Sequence, residues 1–490
     1  MSAIYDIAVI GGGVNGAGIA RDAAGRGAKV LLLEARDLAS GTSSASTKLV
    51  HGGLRYLEYY EFALVREALG EREKLWAIAP HIIWPMRFVL PHDQNQRPRW
   101  LLRLGLFLYD HIGGRVKLPA AKSIDFANHP SGPPLEQQYK RGFEYSDLWV
   151  DDARLVVLNA MDARERGADI RTNCPMQSAR REGDLWHITT PQGEFQARAL
   201  VNAGGPGADD VAAATGRNPA YGIRRVRGSH IVTRKLFDHP YAYIFQLPDT
   251  RIAFAIPWEG EFTLIGTTDR DHEDGLDKVH AEPDEVEYLC KEASAYFRQD
   301  ITPADVVHTY AGVRALVDDG SGKPEAATRG YRLPMSPESE GAAMLGVYGG
   351  KITSYRHLAE EAVDMLSERL PALTGKPWTT EEPLPGGDFP VEAQGDLIET
   401  LQSEYAFLSD FDAARIGRAY GTRAAKWLGK AKNRSDLGRE FGAGLSEAEV
   451  DYLRTEEWAT TADDILYRRS KLGVHMTEAE RAELKEFMGG

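Results

Sequence analysis

Hydrophobic positions along the chain fall into three patterns. Tyr5–Ile10 (YDIAVI) and Lys29–Leu33 (KVLLL) are short, largely apolar runs on either side of a glycine-rich stretch, Gly11–Gly18. Such runs predict strands buried on both faces, and strand, turn, helix, strand is the opening of a βαβ unit in a parallel sheet. Ala199–Ala203 before GGPG and Met344–Val347 before YGG repeat the strand-then-glycine ending at which such a sheet meets a ligand. Tyr241–Asp269 is different: three runs rich in β-branched and aromatic residues, separated by LPDT and WEGE, predict an antiparallel meander. Beyond Glu381–Pro390 (EEPLPGGDFP), a linker by composition, the pattern becomes helical, with SEAE at Ser446 and TEAE at Thr477 in the form of capping boxes.

These patterns predict an α/β nucleotide-binding domain collected from 1-85, 145-215 and 305-380, a second domain inserted as 86-144 and 216-304, and a small all-helical domain over 391-490. A length of 490 residues fits two or three domains. Hydrophobic residues at 43% and charged ones at 27% place the chain among globular proteins. The net charge of -14 argues against a nucleic-acid partner, although a locally basic pocket for a small anion remains compatible with it. Two cysteines, Cys174 and Cys290, sit in no CxxC or metal spacing, which suits a reducing, cytoplasmic compartment. MSAIYDIAVI has no basic n-region or cleavage site, so no secretory leader is expected, and no stretch reaches the roughly 20 apolar residues that span a bilayer.

Gly11, Gly13 and Gly16 form G-x-G-x-x-G between a strand and a helix. The first glycine permits the tight turn, the second lets a pyrophosphate reach the backbone, and the third lets helix and strand pack closely. Glu34 ends the second strand at the spacing where a carboxylate accepts a ribose 2′-hydroxyl, which disfavours a 2′-phosphate. Two features favour FAD over NAD. The glycine-flanked returns at Gly204–Gly205, just after Ala203, and at Gly349–Gly350 bring further bare backbone, and Ser40–Gly53 supplies hydroxyls and glycines soon after the second strand, where a long dinucleotide's other half would lie. Thr42, Ser43, Ser44 and Ser46 are the hydroxyls in question; each could equally satisfy its own loop backbone. The predicted fold is thus a Rossmann-like FAD-binding domain with an inserted antiparallel-sheet substrate domain and a C-terminal all-helical domain.

IGGGVNGAGIARDAAGRG (Ile10–Gly27), TSSASTKLVHGGLRYLE, RGFEYSDLWVDDARL, RGSHIV, IGTTD, YAGVRAL and GGKITSYRHLA (Gly349–Ala359) together resemble the FAD-dependent glycerol-3-phosphate dehydrogenases, in the same order and over nearly the whole chain. The length resembles the bacterial quinone-linked enzymes; the added internal segment typical of the related oxygen-reducing oxidases is not seen. The resemblance implies oxidation of sn-glycerol 3-phosphate at C2 to dihydroxyacetone phosphate, hydride transfer to FAD, and electron transfer to a membrane quinone. It also implies peripheral attachment to the inner face of the cytoplasmic membrane; a homodimer is compatible with it. It places Arg55, Tyr56, His230, Arg314, Arg329 and Lys351 around the substrate. Lys48, Leu49, His51, Gly52, Gly53, Ile352 and Thr353 join the cofactor side, with Gly52 and Gly53 keeping side chains off the flavin. Arginine's planar fork suits a phosphate, and Arg314 is the first choice for it, Arg329 the second. Removal of the C2 hydroxyl proton falls to His230, to Arg55 or to a water-mediated route. Lys351 either stabilises charge on the reduced flavin or contacts the phosphate.

Two further stretches need assigning. Asp147, Asp151 and Asp152 could suggest a metal; hydride transfer to a flavin needs none, and the cluster is assigned to helix capping and surface charge. RPRWLLRLGLFLYDHIGGRVK (Arg97–Lys117) is amphipathic and rich in cations, with Arg99, Arg103 and Asp110 on one stripe. It fits either a helix in a membrane interface, cations toward lipid, or a buried helix of the inserted domain. Outside the leading function stand an oxygen-reducing oxidase of glycerol 3-phosphate, an amine or hydroxy-acid oxidase with Arg314 on a carboxylate, and a flavin-binding assembly module that performs no dehydrogenation.

Overall fold

The computed structural model describes residues 4–54, 57, 60–93, 96–113, 117–249, 251–318 and 330–489. Arg55, Tyr56 and Arg329 therefore lie outside the described residues.

The first sheet is built around Ile4–Ile10, which pairs in parallel with Val30–Leu33 on one side and Gly193–Asn202 on the other. Asp169–Arg171 extends it beyond Val30–Leu33, and Ala343–Gly346 lies parallel to the second half of Gly193–Asn202. The first half of that long strand instead turns to an antiparallel pair, Leu185–Thr190 and Ser178–Glu182. Ile7, Val9, Leu31 and Leu32 are wholly buried, as strands covered on both faces require. Helices Val14–Gly25, Asp152–Glu165 and Tyr355–Ser367 contribute to the same core. Ala17, Ala20 and Ala23 line the first helix and let its neighbours come close. All parallel strands end at one edge, at Ile10, Leu33, Asn202 and Gly346, and that edge carries the site.

The second sheet has ten strands. The expected meander is present as Ala242–Gln246, Ile252–Trp258 and Phe262–Gly266. The sheet also takes in segments that the hydrophobic pattern had placed in the nucleotide domain. Ile83–His92 pairs along its whole length with Arg141–Val150, with Leu49–Val50 at the far edge. Val306–Val317 pairs antiparallel with Ile223–Arg234 across nearly twelve residues. The boundaries expected at 86, 145 and 305 therefore divide strands of one sheet. The physical reason is burial on both faces: nine consecutive residues of Arg141–Val150 are buried, so the strand loses the alternation that marks a one-sided antiparallel sheet.

Helix Arg99–Ile112 sits in the excursion between Ile83–His92 and Arg141–Val150. Its Leu106, Tyr109 and Asp110 face inward, Asp110 accepting from Ala121 N at 2.8 Å, and the Arg99 guanidinium lies 5.8 Å from the Phe143 ring. Arg99 and Asp110 thus turn toward the protein, whereas Arg103, the third member of that stripe, is exposed. Beside Arg103 the helix presents apolar groups outward: Trp100, Leu104 and Phe107 are 70%, 45% and 49% exposed. Among the described residues, no helix is long and apolar enough to cross a membrane.

The C-terminal part has its own core, around Ile416, Leu428, Phe441, Leu445, Val450 and Leu453. Its helices Gln394–Glu404, Asp410–Tyr420, Glu447–Glu456 and Glu478–Phe487 are joined by a short hairpin, Glu440–Gly442 with Leu445–Ser446. Thr477 and Glu480 form a full capping box, and the Ser446 hydroxyl accepts from Glu449 N.

Candidate active site

The glycine-rich turn begins where Ile4–Ile10 ends. Gly11 has φ 115°, and a Cβ there would come 2.5 Å from Ala203 O. A Cβ on Gly16 would collide with Gly11 O, so this glycine permits the helix to start directly over the turn. Gly13 caps the helix, whose first free amide, Val14 N, donates to Ser43 Oγ at 3.0 Å. Glu34 is hydrogen-bonded on both oxygens, by Gly12 N at 2.6 Å and Arg36 N at 2.8 Å, and burial raises its pKa.

From this turn a cavity of about 730 Å³ runs between the two sheets. Its walls bring together Gly11, Gly13, Glu34, Thr42, Ser43, Ser46, Leu49, His51 and Gly53 with Ala203, Gly204, Gly350, Lys351, Ile352 and Thr353, and with His230 and Arg314. A long dinucleotide fits this cradle on two observations. Gly350, at φ 92°, leaves room that a Cβ would take from Asn15 at 3.3 Å. Beside it Asn15 Oδ1 is buried without a protein partner. Thr353 Oγ1 exchanges hydrogen bonds with His51 N and O at 3.4 and 3.5 Å, closing the cradle across the chain.

Four predicted cofactor residues do not line the cavity: Gly16, Ser44, Lys48 and Gly52. Gly16 acts through packing, as above. Lys48 is buried, and its ammonium donates to both oxygens of Asp152 at 2.8 and 3.0 Å and to Ser44 O at 3.0 Å. Ser46 also answers to Asp152, donating at 2.7 Å. Gly52 is needed by Leu69 and Tyr109, which a Cβ would strike, and its N–H donates to Tyr109 Oη at 2.7 Å. Lys48 and Gly52 thus hold the segment in place from behind. Thr42 Oγ1 donates to Val313 O and ties the segment to the strand that carries Arg314.

The acidic cluster is also corrected. Asp151 does cap Asp152–Glu165, accepting from Arg154 N. Asp147 and Asp152 are buried, not surface charges. Asp147 borders the cavity and accepts from Tyr109 Oη and, at 2.8 Å, from Arg72 Nη1. Burial, opposed by Arg72, raises its pKa to about 6.

Two adjacent strands supply the reactive wall. His230 lies on Ile223–Arg234 between Gly266 and Tyr310. Its ring stacks on Tyr310 at 4.7 Å, and any Cβ on Gly266 would overlap it. Nε2 lies 3.0 Å from Thr47 Oγ1, while Nδ1 is buried without a partner. Burial, with Arg314 and Lys48 nearby, lowers the His230 pKa well below its ordinary value. Arg314, on Val306–Val317, pairs with Asp269 and donates to Thr267 Oγ1 at 3.1 Å. Gly228 lies opposite, where a side chain would collide with the guanidinium. Thr47, Asp147, Thr267 and Asp269 were not foreseen as site residues, although each lies inside a quoted motif: Thr47 in TSSASTKLVHGGLRYLE, Asp147 in RGFEYSDLWVDDARL, and Thr267 and Asp269 in IGTTD.

Comparison with known proteins agrees with this geometry. The family model "FAD dependent oxidoreductase" matches residues 6–365, and "C-terminal domain of alpha-glycerophosphate oxidase" matches 377–488. A D-erythritol 1-phosphate dehydrogenase of Brucella abortus is 50% identical, over 98% of this chain and 97% of its own length. A glycerol-3-phosphate dehydrogenase of Pseudomonas aeruginosa is 49% identical, over 100% and 96%. The structure of a glycerol-3-phosphate dehydrogenase from Bacillus halodurans complexed with FAD superposes with a TM-score of 0.77 at 23% identity, over 99% of this chain and 94% of that one. With its glycine cradle, its two-sheet cavity and full-length relatives at this identity, the chain belongs to the FAD-dependent oxidoreductases, in the family of bacterial glycerol-3-phosphate dehydrogenases, and FAD is its cofactor.

Proposed function

We propose that the protein oxidises sn-glycerol 3-phosphate to dihydroxyacetone phosphate and delivers the electrons to a membrane quinone. The observation that carries this is the pairing, on one wall of the FAD cavity, of a cationic fork with a neutral imidazole: Arg314 and His230 stand on neighbouring strands. FAD, when bound, supplies the hydride acceptor. Everything else falls to the chain. Arg314 offers the phosphate charge-assisted donors, and Asp269 and Thr267 hold its plane in advance. His230 is kept unprotonated by burial, the state required of a group that takes the C2 hydroxyl proton, and its Nε2 contact with Thr47 helps hold the ring in place. Lys351, on the cavity wall beside Gly350, places a positive charge near the flavin site, where it opposes negative charge gained on reduction. Arg55, Tyr56 and Arg329 complete the proposed substrate set.

A second substrate has a specific observation behind it. The Brucella abortus relative at 50% identity is named for D-erythritol 1-phosphate, one carbon longer. Kinetics with both phosphates, an artificial quinone acceptor and product identification separate the two. A higher kcat/KM for the three-carbon phosphate supports the first proposal; preference for the four-carbon one replaces it. Stoichiometric hydrogen peroxide would identify an oxidase instead.

The acceptor's location implies contact with a bilayer. Trp100, Leu104 and Phe107 recur at helical spacing on the outward face of Arg99–Ile112 beside the exposed Arg103, which supports docking of this helix in the plane of the interface on the cytoplasmic side. A homodimer remains compatible with this arrangement.

A further inference from the structure

We propose that the Arg468–Arg469 pair of the C-terminal domain is a positioning device for the cofactor loop, so that this domain sets how tightly FAD is held. Asp464–Arg469 is a π-helical turn. Its last two residues, Arg468 and Arg469, both reach one carboxylate. That carboxylate is Asp37, itself buried. Arg468 Nε donates to Oδ2 at 2.6 Å, and Arg469 donates to Oδ2 at 2.8 Å and to Oδ1 at 2.7 Å. Arg469 is fully buried and is anchored in its own domain by Glu457 O at 2.7 Å.

Asp37 stands three residues after Glu34, and the chain between it and the glycine-rich turn is continuous. Ser40 N donates to Asp37 O at 3.1 Å. Ala39, at φ 61°, donates its N–H to Gly12 O at 3.1 Å. Leu38 covers Gly12, where a Cβ would come 2.8 Å from it. The loop then runs into Thr42–Ser44, whose Ser43 accepts from the first helix at Val14 N. A carboxylate buried between two guanidiniums leaves an unpaired charge if either side withdraws, so loop and C-terminal domain move together.

The same turn reaches the rest of the site. Tyr467 stacks on His308 at 5.1 Å with 4° between the rings, on the strand that carries Arg314. Lys471 pairs with Asp151, the cap of the helix whose next residue, Asp152, holds Lys48. Eight residues, 464–471, therefore touch the ribose loop, the Arg314 strand and the backing of the Lys48 segment. A contact serving only to dock two domains would not need to converge on these three points.

Coupling of this kind is reciprocal: if the pair tightens FAD binding, FAD must steady the pair. Hydrogen exchange on the full chain, flavin-free and FAD-loaded, should show slower exchange across 464–471 when FAD is present. Asp37→Asn and Arg468→Gln should each weaken FAD binding at least about fivefold in fluorescence titration, the low end of ordinary coupling, and shrink the gain in Tm that FAD confers. Wild-type FAD affinity in both variants, whatever their Tm, overturns the proposal and leaves a plain docking contact. Unchanged exchange across 464–471 on adding FAD to the wild-type chain overturns it without recourse to any variant.

Discussion

Arg314 and His230 carry the chemistry at the residue scale, and each makes a measurable demand. Arg314→Ala removes a charge-assisted phosphate contact worth roughly 1.5–3 kcal/mol, so KM should rise roughly 10- to 150-fold, with Asp269 left unpaired beside the substrate. Arg314→Lys keeps the charge without the fork and should recover only part of the loss, as steady-state kinetics would read. His230, held neutral by burial, should show ring-proton chemical shifts that do not titrate between about pH 5.5 and about pH 8 in the free enzyme. Asp147 titrates the other way. Its folded pKa of about 6 exceeds the unfolded value of 3.8, so the folded state keeps a proton that the unfolded chain releases. That contribution is fully present below about pH 4 and is lost as pH rises through about 6. In denaturant titrations, the stability of the wild type relative to Asp147→Asn should therefore fall over this window; a constant difference would contradict the assignment.

Helix Arg99–Ile112 is the element with most at stake outside the cavity. Replacing Trp100, Leu104 and Phe107 by serine should abolish flotation with anionic liposomes and leave kcat with a soluble acceptor unchanged, because none of the three lines the cavity. Its amphipathic character was legible from spacing; its orientation was not. Arg99 and Asp110 share a stripe, but whether that stripe faces lipid or protein depends on Ala121 and Phe143, which only the fold brings there. The strands divide in the same way. Ile4–Ile10 and Val30–Leu33 were readable because the glycine turn between them belongs to one kind of unit. Val306–Val317 fell within the stretch assigned to the nucleotide-binding domain, and nothing local says that its partner is Ile223–Arg234 and not the parallel sheet. Charge spacing likewise conveys no burial, which is why Asp147 and Asp152 looked like surface residues, and why Lys48 looked like a cofactor ligand when its ammonium is taken by Asp152.

Across the whole molecule, residues from two sheets enclose the cavity, and the C-terminal domain grips both through Asp37, His308 and Asp151. The motif-bearing parts of the site were legible because glycines at a strand end have few other uses. The grip was not, since Asp37 and Arg469 are 432 residues apart and neither lies in a motif. The arrangement makes one central claim: FAD and a phosphorylated polyol occupy this cavity together, with C2 against the flavin. Anaerobic mixing of the purified, FAD-loaded protein with sn-glycerol 3-phosphate tests it most directly. Full bleaching of the flavin's visible absorbance, matched by one equivalent of dihydroxyacetone phosphate, is the predicted result. A flavin that stays oxidised with saturating glycerol 3-phosphate, and with D-erythritol 1-phosphate in its place, would contradict the account.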